Sequence, residues 1–141
     1  MAYADPIQVT RAYVFTYVSE FGEEGPPSIG VVATGNEGEA WTLTVPAPSG
    51  AVTSGRSLVY KNIYRTITGS NGTATYYFVG QIGIATTSFV DSFSDDVVVS
   101  NAQLKSFSWS PPPTDLVGIV SMPNGILAGF RGNELWFSEP Y

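Results

Sequence analysis

The sequence predicts an all-β protein: a sandwich of short antiparallel strands followed by a small C-terminal β-meander. Three observations predict it. Charged residues make up only 13% of the 141 residues, about half the average share of roughly 25%. The deficit is filled by Thr, Ser, Gly, Val and Tyr, which is the composition of strands and turns rather than of disorder. Alternating runs of β-branched and aromatic residues are then separated by Gly-, Pro- and Asn-rich turns about every 8–12 residues, the rhythm of a sandwich.

The elements follow in order. Ala12–Val18 is β-branched or aromatic at every position after Ala12. Tyr13, Phe15 and Tyr17 share one face and Val14, Thr16 and Val18 the other, so both faces can be covered and the strand reads as central. Glu20–Ser28 carries two Gly and two Pro and reads as a solvated turn and strand exit. Ile29–Ala33 is a short strand, Asn36–Glu39 a turn, and Trp41–Val45 a strand with Trp41, Leu43 and Val45 inward. Pro46–Gly50 ends it. Leu58–Thr68 is the next strand, with Val59, Ile63 and Ile67 on one face and Tyr60 and Tyr64 on the other. Gly69–Thr73 connects it as a hairpin through Asn71-Gly72, and strands follow at Thr75–Ile82 and Thr86–Phe93. About seven strands are expected between residues 8 and 95. Tyr13, Phe15, Tyr17, Trp41, Leu43, Val45, Ile63, Phe78 and Phe89 are expected in a single core. Within Asp95–Phe107, Asn101–Lys105 can form a helical turn, whereas Val97-Val98-Val99 opposes a long helix.

This divides the chain into a sandwich over residues 8–107, a Pro-rich linker over 108–115 and a meander over 116–141. The meander runs Leu116–Met122, Ile126–Phe130 and Glu134–Ser138, with turns at Pro123-Asn124-Gly125 and Arg131-Gly132-Asn133.

The absences exclude function classes. The chain has no Cys, hence no disulfide, thiolate zinc site or cysteine nucleophile. It has no His, which removes Ser-His-Asp triads, imidazole bases and nearly all transition-metal sites. A net charge of −6 disfavours nucleic acid and anionic membranes as partners. No apolar run approaches the roughly 18 residues of a membrane span, and the N-terminus has neither the basic nor the apolar region of a signal peptide.

Residues 13–28, YVFTYVSEFGEEGPPS, resemble the last hairpin of a fibronectin type III domain. Residues 60–67, YKNIYRTI, resemble its third strand, and residues 86–91, TTSFVD, its fifth. The resemblance implies a fibronectin type III/immunoglobulin-like β-sandwich in which the last hairpin comes first. That order means either a circularly permuted sandwich or the tail of one domain followed by most of another. The closed, permuted form is preferred, because a lone hairpin is marginal in water. The chain also resembles virion structural proteins of tailed bacteriophages, from the tail and adaptor region, through residues 11–28, 62–82, 86–92 and PNGILAGFRGNELWFSEPY at 123–141. In those proteins the last motif opens a longer β-rich, propeller-like region.

Few residues invite chemistry. Asp91, Asp95 and Asp96 could be read as part of a Ca²⁺ site or a glycosidase carboxylate pair, but they lack the Gly and distal Glu of a calcium loop, and strand-end carboxylates are the plainer reading. Glu20, Glu23 and Glu24 read as a solvated turn. Gly69-Ser70-Asn71-Gly72 is followed by neither Lys-Ser/Thr nor a helix, so it is no phosphate loop. No catalytic, cofactor-binding or metal-binding residue is therefore expected. The meander carries more apolar surface than so short a segment can bury alone. Trp136, Phe137, Phe130 and Leu135 are the candidate interface residues, with Trp109 before the proline run as a fifth. The expectation is a non-enzymatic structural protein of a phage particle, at the tail or head–tail junction. It would be assembled in the host cytoplasm and would contact other virion proteins or its own copies, with no cofactor. The alternative is a carbohydrate- or surface-binding β-sandwich module, and a glycan-degrading enzyme using paired carboxylates ranks third.

Overall fold

The computed structural model describes residues 5–48, 57–67, 75–106 and 112–138. The expected Gly69–Thr73 hairpin, Trp109 and the first residue of the proline run, Pro111, lie outside the described residues. The chain divides into two compact units, Met1–Ser108 and Trp109–Tyr141. The protein is all-β, and its sheets are antiparallel.

In the first unit, strand β1 spans Gln8–Ser19 and pairs on one side with β2 (Val31–Asn36) and on the other with β4 (Leu58–Thr66). It is thus central, as its two-faced pattern predicts. Strand β5 (Tyr76–Gly83) completes a sheet of order β2-β1-β4-β5. Strands β3 (Trp41–Thr44) and β6 (Ser88–Asp91) form a second, two-stranded sheet. Six strands therefore occupy the region among the described residues, against about seven expected.

The expected single core is two clusters, one on each face of the four-stranded sheet. Tyr13, Val45, Ile63, Val79 and Val98 are buried between the sheets, with Phe15, Trp41, Leu43 and Phe89 packed around them. Val14, Tyr64, Tyr76 and Leu104 form the second cluster on the opposite face. Phe78 belongs to this outer cluster, its ring edge-on to Tyr64 at 5.8 Å. A β-bulge explains the change of side. Ile63 pairs with Gly80 but Tyr64 pairs with Phe78, so Val79 and Gly80 together oppose one residue. Gly80 is required there, because a Cβ would lie 2.5 Å from the Phe89 ring. Tyr17 is only half-buried and stacks edge-on to Phe15 rather than entering either cluster.

The only α-helix among the described residues is a single turn, α1, at Asp95–Val98. It sits on the valine run rather than at Asn101–Lys105, because Val98 fills the inner core with no exposed surface. Residues 102–104 instead run beside β5: Phe78 N donates to Ala102 O (2.9 Å) and Leu104 N to Tyr76 O (2.8 Å). That segment covers the β5 edge over Tyr76–Phe78 and drops Leu104 onto the outer cluster.

The second unit is a three-stranded meander of β7 (Val117–Ser121), β8 (Leu127–Arg131) and β9 (Glu134–Phe137), in that order. Its turns use the residues that tolerate positive φ: Asn124 (65°) with Gly125 (72°), and Gly132 (56°) at the first position of a two-residue hairpin.

Candidate functional site

Strand alternation places Lys61 and Arg65 on the same side of β4 as Ile63, so two cations face the core. Arg65 is fully buried and resolves its charge against two carboxylates. Its Nη1 donates to Asp95 Oδ1 (2.7 Å), and its Nε lies 2.9 Å from Asp91 Oδ2. The Nε contact is an ion pair without hydrogen-bond alignment. Nη2 donates to Phe93 O (2.8 Å). Asp91, also fully buried, accepts from Tyr13 Oη (2.7 Å) and from Phe93 N (3.1 Å). Arg11 completes the group, with Nη2 3.6 Å from Asp95 Oδ1 and its guanidinium 4.6 Å above the Trp41 ring. Its Nε and Nη2 find no hydrogen-bond acceptor, so Arg11 is held by charge and by the indole face. Trp41 reaches this position because Gly35 lies beneath it, where a Cβ would come within 3.0 Å of the ring.

Two arginines and the fully buried Asp91 are thus balanced with the help of Asp95, which is half-buried. Asp91 and Asp95 are not free strand-end groups, as the sequence suggests, but the counterions of β1 and β4. Asp96 alone of the three is exposed. A carboxylate with no exposed surface, already shared by Arg65 and Tyr13, cannot reach a glycosidic oxygen. Burial, reinforced by Asp91, pushes the Tyr13 hydroxyl's pKa well above its ordinary value.

Lys61 is handled differently. Its ammonium donates to three carbonyls, Val45 O (3.1 Å), Pro46 O (3.2 Å) and Thr86 O (2.6 Å), and so ties β4 to the segments that follow β3 and precede β6. Among the described residues no carboxylate pairs with it, and burial lowers the amine's pKa.

The Glu20–Ser28 segment is not a solvated turn throughout. Glu20 is exposed, but Glu23 and Glu24 are half-buried. Glu24 Oε1 accepts from Thr16 Oγ1 (2.6 Å) and Tyr64 Oη (2.5 Å). Gly25 N donates to Tyr17 O (2.9 Å) and Ser28 N to Phe15 O (2.8 Å). The segment is stitched along β1, and burial followed by the Glu24 hydrogen bond raises the Tyr64 pKa. Among the described residues, no group of three or more carboxylates converges as a metal cage.

The interface candidates lie in the meander. Val117 pairs with Phe130, and Phe130 with Leu135. Directly paired residues share a face and alternate residues return to it, so one face carries Val117, Val120, Ala128, Phe130, Leu135 and Phe137. The other carries Ile119, Leu127, Gly129 and Trp136, and Leu116 lies over Gly129. Trp136 and Phe137 are therefore on opposite faces and cannot anchor one contact together. Phe130, Leu135, Trp136 and Phe137 are all exposed, and Ala128 and Gly129 are the only buried positions among the described meander residues. The polar contacts sit on the second face: Trp136 Nε1 donates to Glu134 Oε2 (3.0 Å), and Arg131 pairs with Asp115 (3.0 Å).

No protein-family model, curated protein or solved structure matches the chain. No described helix is long and apolar enough to cross a membrane.

Proposed function

We propose that the protein is a non-enzymatic structural component of a bacteriophage particle, at the tail or head–tail junction, acting through protein–protein contacts. One observation carries the contact role: a three-stranded sheet whose Val117–Phe130–Leu135–Phe137 face is apolar and exposed. Isolated apolar residues on a surface are ordinary, but a contiguous uncharged face is a docking surface. Phe130 and Phe137 are its aromatic anchors, and Trp136 serves the reverse face.

The strand order supports a permuted fibronectin/immunoglobulin-like sandwich. In such sandwiches the third, sixth and seventh strands share one sheet, and the second and fifth share the other. If β1 and β2 are the last two strands, β4 the third, β3 the second and β6 the fifth, the permuted chain pairs as β2-β1-β4 and β3-β6, which is the observed pairing. Strand β5 then extends the larger sheet beside the third strand, as in variable-type domains.

Incorporation tests the function. A tagged chain expressed during assembly is expected in purified particles at a fixed copy number. Phe130→Ser/Phe137→Ser should lower incorporation roughly tenfold or more, as loss of two aromatic anchors does, while leaving the first unit's melting unchanged. Particles that lack the tagged wild-type chain would overturn the reading.

A further inference from the structure

The two edges of the four-stranded sheet are treated differently by the chain. The β5 edge is covered over Tyr76–Phe78 by residues 102–104. Among the described residues, no strand pairs with the outer side of β2. Sheet edges are normally defended by Lys, Pro, a bulge or a very short strand. Strand β2 has six residues, Val31–Asn36, pairs with β1 without a register shift, and contains neither Lys nor Pro. No charge occurs from Ser28 to Asn36. Ile29, Val31 and Val32 are 91%, 66% and 67% exposed.

The backbone phase of the edge follows from one bond. Glu37 N donates to Ile7 O (2.9 Å), and the same register pairs Gly35 with Val9, Ala33 with Arg11 and Val31 with Tyr13. In an antiparallel ladder, alternate residues direct both N–H and C=O to the same neighbour. Residues 31, 33, 35 and 37 therefore face β1, and Gly30, Val32 and Thr34 direct their amides and carbonyls outward. Asn36 O is engaged by Trp41 Nε1 (3.0 Å), which closes the C-terminal end of the open stretch.

We propose that the β2 edge is a homotypic interface, where β2 of a second copy pairs antiparallel about a two-fold axis at Ala33. In that register Val32 faces Thr34 of the second copy twice, through hydrogen-bonded pairs. Ala33 faces its own counterpart in the close, non-hydrogen-bonded pair, where a small side chain fits. Val32 and Thr34 are both β-branched, a favourable cross-strand pair. Charge selects this occupant and orientation. The chain carries a net −6, yet two uncharged edges meet without like-charge contact. The antiparallel arrangement sets Glu37 beside Ile29 of the second copy, whereas a parallel one would set Glu37 beside Glu37. The interface would join two small sheets into one eight-stranded sheet, independently of the meander.

The test uses the full chain in analytical ultracentrifugation from about 1 μM to 1 mM, the range in which edge pairing of this size is read. Wild type is expected to reach about twice the monomer mass. Val32→Pro removes an outward N–H without touching the β1 ladder and should leave a monomer. Thr34→Lys, which sets a cation on the edge, should do the same and guards against a folding defect in the proline variant. Amide exchange gives a second readout: the Val32 and Thr34 amides should be protected in concentrated wild type and exchange freely on dilution. Phe130→Ser/Phe137→Ser should still dimerise. A wild type that stays monomeric throughout overturns the proposal. So does a dimer that survives both edge variants, or one lost only in the meander variant, which would assign self-association to the meander instead.

Discussion

Replacing Arg65 by Met should be among the most damaging single substitutions in the protein. Arg65 has no exposed surface and contacts Asp91, Asp95 and the Phe93 carbonyl at 2.9, 2.7 and 2.8 Å. Methionine fills the aliphatic part of the space but leaves Asp91 buried with only Tyr13 Oη and Phe93 N as donors. Breaking one side of a buried ion pair costs about 3–5 kcal/mol, mostly because the orphaned charge stays desolvated. A domain of this size has roughly 5–15 kcal/mol in total. In urea, with a slope of about 1–3 kcal/mol/M, the midpoint followed by far-UV circular dichroism should fall by roughly 2 M at unchanged slope. Asp91→Asn should cost less, because Arg65 keeps Asp95 and the Phe93 carbonyl as partners, and Arg65→Met/Asp91→Asn should cost less than the two single losses added together. A loss for Arg65→Met below about 1 kcal/mol would show that the carboxylates are solvated in the folded protein and that the cluster does not hold the sheets together.

Gly80→Ala should destabilise by about 1–3 kcal/mol through overpacking, because the new Cβ would sit 2.5 Å from the Phe89 ring; Gly80→Ala/Phe89→Leu should recover part of it in the same urea melt. Trp41→Ala should cost about 3 kcal/mol, since the half-buried indole both packs on the core and carries Arg11; a change near zero would return Trp41 to the surface. Tyr13 and Tyr64 hold their protons in the fold beyond the ordinary value of 10.0 at which the unfolded chain releases them, so their contribution is whole below that pH and is lost as pH climbs above it. Lys61 acts in the opposite sense, its unfavourable burial easing as pH rises from its lowered folded value towards the 10.5 of the unfolded chain. Thermal melts should therefore show stability falling above pH 10, and Tyr13→Phe/Tyr64→Phe should flatten that fall; a decline of the same steepness in the double variant would refute the assignment.

The local signals were legible in the sequence. Unbroken β-branched and aromatic residues over Tyr13–Val18 announce a strand covered on both faces, and β1 is an inner strand of its sheet. Asn124, Gly125 and Gly132 announce the meander turns, because few other residues adopt positive φ cheaply. The buried charge cluster left a signal that went unread: Lys61 and Arg65 alternate with Ile63 on the apolar side of β4, and cations on a core-facing side require buried partners. Which partners those are depends on contacts such as Arg65 with Asp91, across sheets and far along the chain, and no local pattern encodes them. The side taken by Phe78 was equally closed to alternation, because one bulged residue inverts the period-2 rule and the bulge exists only where Phe89 packs against Gly80. The same holds for the sheet edges. Residues 101–105 suit a helical turn and residues 31–36 an extended strand, but only the packing of Leu104 onto Tyr64 and Tyr76 lays residues 102–104 along Tyr76–Phe78, while among the described residues no strand pairs with the outer side of β2.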